Sequence, residues 1–509
     1  MESSLVRDRL WTAAWCAVAI AFPWSNAFMS VATGFLGLVA LIECAKPIGR
    51  ASECRYSVWS GLALVGLVLL SAISSLWSRD LWMALDDARI KLPLLVGGVA
   101  LLAGRGGAIL PNYAGRVILK CAVVSAGVAT LSLVFLDVLD GAPFGGRHAS
   151  RYISHIRFGL WWAVLLPWAS KWLSKREALI VLGLSMLTWF WTESISGFLC
   201  GLWTAGLWAP MLWEQSSDTA TYWPGPRTSV RRLIAASAFL AVALFVLRSA
   251  LPSEYPRAES LPTVTVDGSE YVHYLQRRVK ENGHFVWTEI AWGELADSWK
   301  ERHEISFEEV KGRLIRFLAS KGLTKDRAGV QALSKEEVQA VAEGATSVVE
   351  WKGLGWTKRW NRFQFNWGQW LDGERNGNAS VLARSVYQGA AWDAIGKLPA
   401  TAHLFGLGSG GSQSAMQAAY ERGFPDWPEH MRHRPHNQWF SVWLQLGWLG
   451  LVLVVASCWA ALHCPWGLPG VVILWVSFLF EDTLETQAGV TLAVWVLTLS
   501  ALIPSDRLS

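Results

Sequence analysis

Apolar stretches of membrane-span length recur along the chain, and one long polar stretch interrupts them. A bilayer core asks for about 20 apolar residues of helix, with a range of roughly 17–25. Candidate spans lie at 10–24, 27–43, 58–77, 91–104, 115–139, 157–173, 177–192, 196–213, 232–250, 437–461, 466–481 and 487–504. The first, fourth and seventh of these twelve are the shortest. The pattern divides the chain into an N-terminal transmembrane block of about nine spans (1–250), a polar loop domain (251–436) and a C-terminal block of three spans (437–509). Within the polar stretch, Ser306-x-x-Glu309 and Ser334-x-x-Glu337 fit capping boxes, in which each side chain satisfies an open helix-end donor. Behind the first, Val310, Leu314, Phe317 and Leu318 recur at helical spacing. Residues 252–268, rich in Pro, Ser, Thr and Val, read as irregular. The expected fold is an all-α polytopic membrane protein of about twelve transmembrane helices, with one large, mainly helical loop before the last three.

Composition agrees with this reading and excludes others. Hydrophobic residues make up 52% of the 509 and charged residues 17%, against roughly 25% charged in soluble domains. That argues against a soluble enzyme, a disordered chain and a fibrous protein. The 33 Trp suggest bilayer interfaces, where one edge of the ring is wet and the other greasy. Trp351, Trp356, Trp360, Trp367 and Trp370, with Trp392 beyond, fit an interfacial or core stripe more simply than a sugar-stacking surface. Residues 251–436 hold 23 acidic and 23 basic side chains; with no basic excess there, nucleic acid is not an expected partner. None of the seven Cys falls in that segment, so it has neither a disulfide framework nor a zinc ribbon. The first apolar stretch lacks a convincing cleavage site and reads as a retained helix.

Basic residues orient the spans. With the N-terminus inside, cytoplasmic loops hold Lys46, Arg50, Arg55, Arg105, Lys175, Arg176, Arg227, Arg231 and Arg232, and Arg507 follows the last span. Both termini are then cytoplasmic and 251–436 lies outside. Arg79, Arg89, Lys91, Arg147 and Arg151 fall on the same outer side, either as solvated charges or as contacts for an anionic substrate. The densest cluster of chemistry is His430-x-x-His433-Arg434-Pro435-His436-Asn437, immediately before span ten. Three His at intervals of three suggest a metal, but Pro435 breaks helical geometry before the third, and no Cys or carboxylate group joins them. A single His, with an ordinary pKa near 6.5, suits a general base; for His436 the alternative is a residue that packs or caps a helix start. Gly406-Leu407-Gly408-Ser409-Gly410-Gly411 nominally contains GxGxxG without a surrounding βαβ unit. It reads as a tight turn whose N–H groups can face an anion.

His436-Asn437-Gln438-Trp439, followed by Leu444, Gly447 and Gly450, resembles the His-Asn and Gly-x-x-Gly signature of the O-antigen ligase and polymerase superfamily. Five further strings resemble one branch of that family in the same order: Arg89–Pro93, Ser154–Phe158, Ser320–Asp326, Gly406–Gly408 and Glu481–Gln487. The resemblance implies a GT-C-like membrane glycosyltransferase of a bacterial inner membrane. Its partners would be a polyprenyl diphosphate-linked glycan, a lipid A-core or other acceptor glycan, and the bilayer, with the chemistry on the periplasmic face and neither cofactor nor metal. Three demands follow. Cations must meet the charge growing on the diphosphate, for which Arg is suited; a base must take the acceptor proton; a greasy groove must hold the lipid. The resemblance assigns the base to His436 and the diphosphate to Arg157 and Arg384, with Arg434, Arg89 and Lys91 as further cations and His155, Asn437, Glu481 and Glu485 in support. Asn437 alternatively caps span ten, and the two Glu alternatively pair with basic residues.

A polymerase or a protein glycosyltransferase would differ only in who supplies the hydroxyl. A polysaccharide transporter would instead place charges in mid-span and use discontinuous helices.

Overall fold

The computed structural model describes residues 2–45, 55–103, 110–111, 113–141, 151–213, 248, 254–374, 380–463 and 467–503. They are mainly helical; the only sheet among them is an antiparallel ribbon of Lys280–Glu281 with His284–Phe285. Among the described residues, four helices are long and apolar enough to cross a membrane: Asn26–Cys44, Tyr56–Leu76, Ala114–Leu139 and Gln438–Leu462. Shorter apolar helices occupy Leu92–Ala103, Ile195–Thr204, Gly467–Phe480 and Gln487–Leu502. The expected span 232–250 lies outside the described residues except for Arg248, as does Arg147.

The chain forms two compact units. The first joins Met1–Phe239 to Val386–Ser509, and the second is Leu240–Ser385. Residues 251–385 of the polar segment fall in the second unit and 386–436 in the first. In the last fifty residues of the segment, helices Ala400–Phe405 and Ser409–Gly423 pack against Gln438–Ser457.

Helix ends in the first unit follow local chemistry. The Ser25 hydroxyl accepts from the Phe28 N–H and starts Asn26–Cys44; Ser174 and Glu177 form a reciprocal capping box for Lys175–Trp191. Small residues set the crossings. Gly61 and Gly98 bring two backbones together, since a Cβ on either would meet the other's carbonyl oxygen within 3 Å. The Trp indole beside Gly159 donates to its carbonyl (Trp189 Nε1 to O, 2.9 Å). Contrary to the interfacial expectation, many Trp fill the interior. Trp11, Trp15, Trp161, Trp162, Trp168 and Trp189 are fully buried, and Trp495 meets Trp161, Trp168 and Trp15 at centroid distances of 4.7, 5.5 and 6.1 Å. With so much apolar area per ring, these residues build the core between helices.

Helix Gln438–Ser457 is broken at Gly447, whose φ is +64°. The break frees carbonyls that need donors. The glycine-rich turn supplies them: Leu407 N donates to Leu444 O at 2.8 Å and Gly408 N to Gln445 O at 2.9 Å. The turn is left-handed at Gly406 and Gly408 (φ +73° and +72°). Its N–H groups thus repair a helix and do not face an anion.

In the second unit, Leu295, Trp299, Val310, Leu314, Phe317, Leu318 and Val341 form a buried core, with helices Trp292–Arg302, Phe307–Ser320, Lys335–Ala342 and Gly355–Leu371 around it. The capping box at Ser334 and Glu337 forms. The one at Ser306 does not: its side chain caps nothing, although the helix starts there.

Candidate functional site

Six residues, Glu481 to Thr486, link helix Gly467–Phe480 to Gln487–Val494 and carry three carboxylates. Each takes different partners from distant parts of the first unit, and together they assemble the site.

Glu485 is the innermost. Lys91 Nζ reaches its Oε2 at 2.9 Å and Arg434 Nη1 the same oxygen at 3.1 Å, while Gln438 Nε2 donates to Oε1 at 3.2 Å. Lys91 and Glu485 side chains are each only 2% exposed. Burial opposes ionisation of Glu485, and the Lys91 and Arg434 cations together outweigh it, so its carboxyl lies below the ordinary range. The other arm of Arg434 holds the buried Asp87 at 3.1 Å. Burial disfavours the Arg434 cation, but Glu485 and Asp87 overcompensate and raise its pKa.

Asp482 fixes the backbone. Its Oδ2 accepts the His436 N–H at 3.0 Å, and its Oδ1 the Ser441 hydroxyl. Burial pushes this carboxyl above the usual aspartate range, against the Ser441 hydrogen bond and the nearby His436. His436 itself has φ +48°, a left-handed conformation rare outside glycine. Pro435 precedes it, and the Asn437 side chain accepts from Trp439 N and Phe440 N at 3.1 and 3.3 Å to start the next helix. Asn437 is thus a helix cap.

Glu481 lies between His436 and a cation. One oxygen, Oε2, lies 3.6 Å from Arg157 Nη2 and 3.9 Å from His436 Nδ1. Nδ1 is buried without a hydrogen-bond partner, and about a third of the His436 side chain is open. Arg157 stands on the first turn of His155–Trp172 and also reaches the Asp482 carbonyl and the Thr486 hydroxyl, both at 3.4 Å. The Tyr387 ring faces His436 and His433 at 5.3 and 5.6 Å. His433 is pushed below the ordinary histidine range by burial, with His436 and His430 adding.

His436, Arg157, Arg434, Lys91, Glu481 and Glu485 therefore belong to one network, with Asn437 capping the helix beside it. Arg89 does not. It is exposed and paired with the neighbouring Asp86 at 2.8 Å, because it lies on the outer face of Leu81–Ile90. Lys91, expected as a diphosphate ligand, is instead enclosed and neutralised by Glu485. His155 is half-buried, two residues before Arg157. Arg384 is half-buried on Ser380–Gly396 and belongs to the second unit.

Sequence reasoning missed Asp87, Gln438, Ser441 and Asp482 as site residues. It also missed an apolar cavity of about 830 Å³ lined by Leu70, Ile73, Trp77, Phe405 and Leu407, with Arg79 on its wall. Helix Ser409–Gly423 separates this cavity from the polar site. It turns Ser412, Met416 and Tyr420 toward Arg434, and Gly411, Ala415 and Ala418 toward the cavity. The small residues at 411, 415 and 418 share a helix face, and this was the available signal.

Chemically, the cluster offers an imidazole beside a carboxylate, a guanidinium over the same carboxylate, and an apolar chamber one helix away. Neither a family model nor a curated protein matches the chain.

Proposed function

We propose that this chain is a membrane glycosyltransferase of the O-antigen ligase type. It moves a glycan from a polyprenyl diphosphate to an acceptor hydroxyl of lipid A-core, at the periplasmic face of a bacterial inner membrane that the chain crosses about twelve times. The observation that carries the reading is the Glu481 oxygen shared by His436 and Arg157. A carboxylate 3.9 Å from Nδ1 can accept an N–H there after a small closing movement, which would leave Nε2 as a base. His436 then takes the acceptor proton, the acceptor oxygen forms a bond to the anomeric carbon, and the bond from that carbon to the diphosphate oxygen breaks. Arg157 meets the charge left on the diphosphate. The cavity of about 830 Å³ suits the lipid tail, with Arg79 beside it. Lys91, Arg434 and Glu485 hold the frame, since their charges are spent on one another.

A polymerase would use the same donor chemistry. A transporter reading draws on the break at Gly447, but the freed carbonyls there are satisfied by Leu407 and Gly408, and the charges of the site gather between helices.

The deciding experiment compares lipopolysaccharide with the lipid-linked glycan pool in a strain lacking this protein, complemented by the wild type or by His436→Ala. A ligase leaves long polymer stranded on the carrier and bare core on the gel, and His436→Ala does not restore transfer. Core bearing a single repeat, with no long polymer in either pool, assigns a polymerase. Unchanged pools rule out the reading.

A further inference from the structure

The second unit holds a cavity of about 490 Å³ that the proposed transfer does not use. Its volume lies within the roughly 300–1,000 Å³ typical of small-molecule sites. Two helices build its walls. Gly355–Leu371 contributes Arg362, Phe365, Asn366 and Gln369, at the i, i+3, i+4, i+7 spacing of a single helix face. Phe307–Ser320 contributes Gly312, Arg313 and Arg316, again on one side.

Three guanidinium groups thus face one carboxylate on the wall, Glu350. Arg362 is held by Glu350 at 2.6 Å. Arg316 is held from behind by the buried Glu281 at 2.9 Å and lies over the Phe365 ring at 3.6 Å. Arg313 is different: its Nε is buried and has no hydrogen-bond partner. A buried N–H without an acceptor is costly, and an arginine is charged at every ordinary pH. The cavity therefore carries a net positive charge with one cation still to be matched. Trp287 adds an apolar ring, and Asn366 and Gln369 add amides.

We infer that this cavity binds an anionic saccharide: a sugar ring against Trp287, with its carboxylate or phosphate on Arg313. The anion half of this assignment stands on the second unit alone, and the saccharide half rests on the glycan-transfer reading. A uronic acid unit and a sugar phosphate share this chemistry, and the test separates them.

The purified full-length chain in detergent is titrated with glucuronate, glucose 1-phosphate, glucose and inorganic phosphate, with binding read by calorimetry. Glucuronate or glucose 1-phosphate is expected to bind at least tenfold more tightly than glucose, and the tighter of the two names the anion. Arg313→Gln is expected to weaken that binding at least tenfold. Gly312→Phe is expected to abolish it by filling the cavity, since open space surrounds the position of a Cβ at Gly312. Both variants should melt as the wild type does, and His436→Ala should bind as the wild type does. Equal binding of glucose and glucuronate overturns the proposal. So does binding unchanged by both variants, or binding of inorganic phosphate without either sugar acid. If the two sugar acids bind as expected while the strain's glycan pools are unchanged, the transfer reading fails and this site stands.

Discussion

The Asp482 carboxylate receives the backbone N–H of His436 at 3.0 Å. A non-glycine residue in the left-handed region costs roughly 1–2 kcal/mol, so this hydrogen bond is what keeps the candidate base where it is. His436→Gly removes the imidazole while suiting the backbone. It is expected to melt at or above the wild-type temperature and to lose about 10²–10⁴-fold in transfer, the usual worth of a general base. Retained transfer in a well-folded His436→Gly protein would exclude His436 as the base.

Asp482 also sets a pH dependence. Burial raises its carboxyl above the ordinary aspartate value of 3.8, so folding favours the protonated form. Below the unfolded value there is no penalty; it grows as pH rises past it. Asp482→Asn keeps an acceptor for the His436 N–H and has no charge to bury. Its stability relative to wild type should therefore improve from pH 4 upward, as followed by thermal melts across pH. A difference that shrinks with rising pH would contradict this account.

Lys91 and Glu485 are expected to be strongly coupled. Removing one partner of a buried pair leaves an uncompensated charge, at about 3–5 kcal/mol. Lys91→Met and Glu485→Gln should each destabilise on that scale. The double variant should cost less than the two singles added, by 2 kcal/mol or more on the same scale, because Arg434 retains Asp87. Additive losses in a double-mutant cycle would show that the pair is not coupled.

The break in helix Gln438–Ser457 depends on Gly447. Alanine there meets both a positive φ, at about 1–2 kcal/mol, and the Leu404 backbone, against which its Cβ would press. Gly447→Ala should lower the melting temperature, while Gly183→Ala, in an open helical position, should raise it by an amount matching about 0.5–1 kcal/mol. A neutral Gly447→Ala would show that the helix can run straight.

The helical, membrane-type character was legible because apolar run length is a local property of the sequence. Several site residues were legible for a similar reason: His436 and Glu481 lie in short strings of unusual chemistry. What pairs with what was not. Lys91 reads as an outward cation until Glu485, far along the chain, is seen to close on it, and Arg89, two residues earlier, turns to Asp86 instead. Asp482 looked like a neighbour of the candidates because a carboxylate that accepts a backbone N–H leaves no mark on spacing. The buried Trp were misread because the amphipathic ring suits both a bilayer surface and a crossing of helices, while Trp59, Trp77 and Trp82 are exposed. Only the packing of Trp495 against Trp161 and Trp168 decides between them.

The pairing of Lys91 with Glu485 has a consequence for biogenesis. The two are separated by 394 positions, so in synthesis from the N-terminus Lys91 emerges long before its counter-ion exists. Throughout that interval the helices around residue 91 carry an unmatched cation next to apolar surface. The site therefore closes late, when the last helices dock. A chain stopped before Glu485 lacks the carboxylate that neutralises Lys91 in the finished protein.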